Sequence, residues 1–210
     1  MYLNVLLALI LIGCFASLFA NGLWSNTLSL INVVTAALLA TNYFEPLAGF
    51  LERTISPEAT YVWDFIAVWL IFGIAMGVLR ALTDAVSPTE VRFHPLVDQV
   101  GSYLMATWTA WVLVCFATFT LHTAPLARNF LGGAFQPTPQ AKMFFGTGPD
   151  RLWMAWVHKE SLGSLCRLGE IAEFDRDADL ILRYGERRDE FDHQLSFLKQ
   201  KGVVAPAKAP

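Results

Sequence analysis

The first 44 residues, Met1–Phe44, contain no Asp, Glu, Lys, Arg or His. A soluble stretch of that length would carry roughly eleven charged side chains. A helix crossing a ~30 Å hydrocarbon core needs about 20 apolar residues, so this segment is long enough to cross twice. Asn21-Gly22 is a strong turn dipeptide and marks the natural break. The pattern therefore predicts a first span near Tyr2–Ala20 and a second near Leu23–Phe44. A cleaved signal peptide is the competing reading of the first span. It is disfavoured because there is no basic n-region and Leu18-Phe19-Ala20 is a poor small-x-small cleavage site.

Charge is unevenly spread over the 210 residues, which carry 16% charged residues and a net charge of −3. Before residue 128 the only bases are Arg53, Arg80 and Arg92; the other twelve lie in the last 83 residues. A mean hydropathy of +0.45 and a pI near 5.8 exclude a soluble enzyme spanning the chain and a basic nucleic-acid binder. A third span is expected over about Tyr61–Leu82 and a fourth within the uncharged run Gln99–Ala127. Tyr61, Trp63, Trp108 and Trp111 suit headgroup depth near the span ends.

Beyond span four, residues 125–149 hold Pro125, Pro137, Pro139 and Pro149 with four glycines and read as a loop. Asp150 is placed as the N-cap of a helix over Arg151–Leu168, whose Trp-rich face and basic border fit a helix lying in the interface. Packing of that helix on the cytoplasmic ends of the bundle is the other reading. Residues 170–201 are helical in pattern, with Gly185 as a break between two arms of a hairpin or short coiled coil. The sequence thus predicts an all-α polytopic membrane protein in four parts. Residues 1–124 form a transmembrane four-helix domain and 125–169 the loop with the interfacial amphipathic helix. Residues 170–201 form a cytoplasmic amphipathic arm, and 202–210 a disordered tail. An even span count puts both termini on one side, and the bases after span four put that side in the cytoplasm.

No catalytic residue, cofactor site or metal site is predicted. Cys14, Cys115 and Cys166 form no C-x-x-C, the four histidines form no i, i+4 pair, and no nucleophile-elbow or phosphate-loop motif occurs. Small residues carry the packing signal instead. Gly73 and Gly77 form a G-x-x-x-G in span three, and Gly13/Ser17, Ala36/Ala40 and Ala106/Ala110 repeat the spacing. The preferred reading is packing inside one bundle, with a homo-oligomer seam as the alternative. Asn32, near the middle of span two, needs a partner or water; Asp64, Arg80 and Asp98 are span-end charges expected to be solvated or snorkelling.

These features resemble the colicin V production protein family over about residues 3–125. The matching segments are Asn21-Gly22-Leu23-Trp24, Phe44-Glu45-Pro46-Leu47-Ala48 leaving span two, Leu79-Arg80 closing span three, and Leu96-Val97-Asp98-Gln99-Val100-Gly101 leading into span four. Within the last of these, Gly101 is a further helix-packing candidate. Asn4, Asn21 and Met105 depart from the family pattern. The resemblance implies a bacterial inner-membrane protein associated with peptide-toxin production or export and with envelope maintenance. Two function classes remain open at this point. One is a non-enzymatic accessory or scaffold whose 170–201 arm binds a cytoplasmic protein, alone or with a membrane partner. The other is a small channel or transporter subunit, suggested by polar span two.

Overall fold

The computed structural model describes residues 2–55, 60–87, 91, 93–126, 144–161 and 174–200. They form six helices: α1 (Tyr2–Leu18), α2 (Leu23–Thr54), α3 (Thr60–Val86), α4 (Pro95–Thr123), α5 (Pro149–Ser161) and α6 (Leu180–Gln200). Three helices are long and apolar enough to cross a bilayer, namely α2, α4 and the Val62–Val86 part of α3; α1 is shorter but equally apolar. At about 1.5 Å per residue, the 17 residues of α1 lie at the lower limit for a span. The chain is an all-helical polytopic membrane protein.

The break between α1 and α2 falls at Asn21-Gly22, as the dipeptide predicts, but not through left-handed backbone. Gly22 has φ −73° and ψ 167°, which is extended. An added Cβ would meet Asp98 Oδ1 at 3.6 Å, an ordinary van der Waals contact, so the turn does not depend on the glycine's size either. Helix α2 does not end near Phe44. It runs through Pro46 to Thr54, so the Pro-Leu-Ala segment lies inside the helix and is not its exit. Proline there forfeits one backbone hydrogen bond. Membrane helices tolerate this where neighbours cover the freed group, and Asn42 and Phe44, just before the proline, are both buried.

Helix α2 packs against α3 and α4, and α1 lies along α4. Lipid supplies no hydrophobic drive between helices, so close packing must hold the bundle. The Ala36/Ala40 and Ala106/Ala110 pairs serve this purpose and are fully buried. Around Phe116 of α4, ring centroids of Phe72, Trp69 and Trp153 lie at 4.9, 5.7 and 5.8 Å. One core therefore joins α2, α3, α4 and α5, and Phe174, Leu180 and Tyr184 extend it to the start of α6.

The C-terminal segments depart from expectation. Helix α5 begins at Pro149, one residue before the expected cap, and its first-turn N–H groups at Arg151 and Leu152 bond the Gly148 carbonyl. Asp150 thus lies in the first turn and is not the cap. Helix α5 buries Trp153, Met154 and Val157 against the bundle, while Leu152 stays half exposed. Phe174 and Ala178 lie in the turn before α6, not on a helix face, and α6 is continuous through Gly185. A mid-helix glycine costs about 1 kcal/mol, and here the side chains on either side of it are fixed by contacts described below. The expected helix residues 162–168 and the loop residues 127–143 lie outside the described residues.

Candidate functional site

Chain alternation gives the bundle two ends, and each carries a polar cluster. At the first end, the α1–α2 turn meets the start of α4. The Leu23 N–H donates to Asp98 Oδ1 at 3.0 Å. Helix N-termini leave N–H groups without intrahelical partners, so Asp98 caps α2 from a neighbouring helix. Asn26 is fully buried, and its Nδ2 donates to Leu18 O at 3.1 Å, Ser102 O at 3.2 Å and Ser102 Oγ at 2.9 Å. The Ser102 hydroxyl donates to Asn21 O at 2.6 Å. Gly101 is a point of close approach, because a Cβ there would sit 2.9 Å from Leu23 Cδ1 and Cδ2. Trp24 Nε1 donates to Ser87 Oγ at 2.9 Å and ties in the end of α3. Two sequence segments 75 residues apart, 21–24 and 96–101, therefore form one lock.

Of the other predicted positions, Asn32 is 1% exposed and donates from Nδ2 to Thr83 Oγ1 at 3.1 Å, bridging α2 to α3. Arg80 pairs with Asp84 one turn later at 3.1 Å, both about half exposed. Gly73 and Gly77 do not pack inside the bundle. They face outward, and a Cβ at either would meet nothing within 4 Å. The closely packed face of α3 lies elsewhere, along Asp64, Ala67 and Val68.

At the second end, α3, α4, α5 and α6 converge. Asp64 is neither solvated nor snorkelling. It is 8% exposed, accepts the Tyr184 hydroxyl at 2.9 Å and pairs with the Arg187 guanidinium. Burial and the Asp64 charge push the Tyr184 phenol above its ordinary value, so it stays protonated and donates. Arg183 reaches Glu45 of α2 at 3.6 Å. Arg188, 5% exposed, donates from Nη2 to the carbonyls of Leu121 and His122 at 2.8 and 2.9 Å. These carbonyls end α4, where a cation is favoured by the helix dipole.

Beside Arg188, His122 Nε2 lies 3.0 Å from Asp150 Oδ2, and both side chains are almost fully buried. Burial raises the Asp150 carboxyl. The hydrogen bond to His122 and the nearby positive charge outweigh this and hold the group below the usual carboxylate range. An ionised carboxylate only accepts, so His122 Nε2 is the donor. Trp153 Nε1 adds a bond to Thr41 Oγ1 of α2 at 3.1 Å. Sequence reasoning missed His122, Asp150, Tyr184, Arg187 and Arg188 as a group. The isolated histidine in an apolar span was the available signal, since it must find a polar partner there. Among the described residues, no three His, Cys, Asp or Glu side chains gather to hold a metal ion.

A family model described as colicin V production protein matches residues 3–140. The chain belongs to that family. The match takes in both halves of the Asn21–Asp98 lock and the whole transmembrane bundle, including His122. In this member of the colicin V production protein family, α5 and α6, which close the second end, lie beyond the matched region. Membership supports a role in colicin V production. The chain matches no curated protein and no solved structure.

Proposed function

We propose that this colicin V production family protein is a non-enzymatic accessory or scaffold of the bacterial inner membrane, acting in toxin production or export and in envelope maintenance. One observation carries this reading: the amide and hydroxyl donors inside the spans are engaged within the protein, either between helices or along their own helix. Asn26 and Asn32 bridge helices, and the hydroxyls of Thr41, Thr109 and Thr118 bond carbonyls three or four residues back on their own helices. A channel or transporter subunit, the second function class, needs polar groups from several spans facing a shared wet path. Purified protein in liposomes is therefore expected to pass no ion or small solute above empty vesicles. Reproducible flux that disappears in Asn32→Leu would overturn the scaffold reading.

With α6 docked on the bundle through residue 188, a cytoplasmic partner would bind its outer face and the segment beyond. Orientation follows from the twelve bases of residues 128–210, which favour the cytoplasm. Reporter fusions after Pro210 and within 45–60 should be active only in the cytoplasm, and one within 83–98 only in the periplasm. A periplasmic C-terminus would contradict this topology.

The outward Gly73-x-x-x-Gly77 face supports self-association through α3, where two backbones can approach closely. Gly77→Leu should then lower the oligomer mass in detergent. It should leave the thermal midpoint of the bundle unchanged, because the new side chain meets no intrachain neighbour. An unchanged mass would remove the seam, and a lowered midpoint would contradict the outward placement.

A further inference from the structure

Between α2, α4 and α5 lies an apolar cavity of about 320 Å³ that belongs to neither polar cluster. Val34 lines it from α2, Val112 and Cys115 from α4, and Leu152 and Trp156 from α5. Trp108, also on its wall, is 61% exposed, so the cavity is open along this side of α4. Its depth follows from the sequence. Val34 is roughly 16 Å along α2 from Glu45, the nearest charge on that helix, and Val112 lies within the uncharged run Gln99–Ala127. The mouth therefore faces lipid chains. The wall suits hydrocarbon better than water, which needs about two to four polar partners. The indole nitrogen of Trp153 on that wall is already bonded to Thr41 Oγ1 at 3.1 Å.

A cation stands beside this groove. Helix α5 carries Leu152, Trp156 and Lys159 at i, i+4 and i+7, on one face, and Lys159 follows Trp156 by about 4.5 Å along the axis. Both ends of α5 are held at the second end of the bundle. Asp150 bonds His122, and Ser161 Oγ accepts the N–H of Phe174, whose ring centroid lies 6.1 Å from that of Phe119. Lys159 therefore lies where the bundle leaves the hydrocarbon. It is exposed, and among the described residues it makes no hydrogen bond or ion pair.

We infer that this groove seats one acyl chain of a membrane glycerophospholipid, whose phosphate is met by the Lys159 ammonium. A methylene takes up about as much volume as a water molecule, roughly 30 Å³, so the groove holds about ten carbons of a chain. A lysine at a span end lays its stem along apolar surface and keeps its ammonium among the headgroups. The ammonium–phosphate bond is charge-assisted, and it fixes the lipid at one end while the groove holds the other.

The full-length protein, delipidated in mild detergent, would be titrated with phosphatidylglycerol and the bound lipid counted by native mass spectrometry. One saturable lipid per chain is expected. Val112→Trp, which fills the groove, should weaken binding at least about tenfold. Lys159→Glu, at an exposed position where folding is not at stake, should weaken it by a similar factor, the effect of losing one charge-assisted hydrogen bond. Lys159→Arg should restore most of it. Leu9→Trp, on the exposed face of α1, should bind as the parent does. Undiminished binding by Val112→Trp or by Lys159→Glu, an equal loss in Leu9→Trp, or no saturable lipid would overturn the assignment. So would a doubled protein mass without bound lipid, which would place a second copy of the chain in the groove.

Discussion

His122→Leu is expected to lower the stability of the detergent-solubilised protein by about 1.5–3 kcal/mol, the cost of removing a hydrogen bond to a buried charged carboxylate. Leucine fills much of the space of the imidazole, so the loss comes from the abandoned Asp150 carboxylate and not from a cavity. The effect should spread beyond the pair, because the same few residues join α4, α5 and α6. Arg188 bonds the His122 carbonyl, and Asp150 opens α5. Asp150→Asn, which removes the charge but retains an acceptor, should cost clearly less. Thermal unfolding of both variants checks the order. A His122→Leu midpoint equal to that of the parent would show that the pair is not closed in the membrane protein.

The same pair sets a pH dependence with a defined sign. Asp150 is held below its ordinary pKa in the folded state, so its contribution is fully present above the unfolded carboxylate value near 4. It is lost as pH falls through the lower folded value. Destabilisation of the parent as pH falls below about 4 should therefore be reduced in Asp150→Asn, as measured by unfolding midpoints across an acid titration.

The second large effect belongs to the other end. Asn26→Leu removes two amide N–H donors that are shared among Leu18 O, Ser102 O and Ser102 Oγ. Single interhelical contacts in membranes contribute about 0.6–2 kcal/mol, so about 2–4 kcal/mol is expected after allowing for non-additivity. Insertion should be unimpaired or improved, since leucine enters the membrane more readily than asparagine. Asp98→Ala, which leaves the Leu23 N–H uncapped, should cost about 1 kcal/mol. Equal stability of Asn26→Leu and the parent would mean that the turn and α4 are held together by something other than this network.

The helical class, the break at Asn21-Gly22 and the span positions were legible because each is local. Uncharged runs and a turn dipeptide report on the residues that contain them. The joining of residues 21–24 with 96–101 was visible only as two separate family segments, since nothing in either names the other. The α2 extension past Pro46 was not legible, because proline reads as a terminator until tertiary contacts cover the freed carbonyl. Asp64 and Arg80 illustrate the limit. Both are charges near the ends of one span, yet Arg80 pairs locally in solvent while Asp64 is buried under Tyr184 and Arg187, more than 110 residues away. Helices α5 and α6 are polar enough to pass for solvated segments, and no periodicity shows that their arginines are matched to carboxylates and helix-end carbonyls on the bundle.

The central structural claim is that the start of α6 is part of the bundle and not a free arm. Trypsin cleavage of the intact protein in mild detergent, followed by mass spectrometry, tests it at the docked residues themselves. Arg183, Arg187 and Arg188 should resist cleavage at temperatures below the unfolding midpoint of the bundle and become cleavable together with it. Rapid cleavage after these three residues, with the transmembrane helices still folded, would contradict the account.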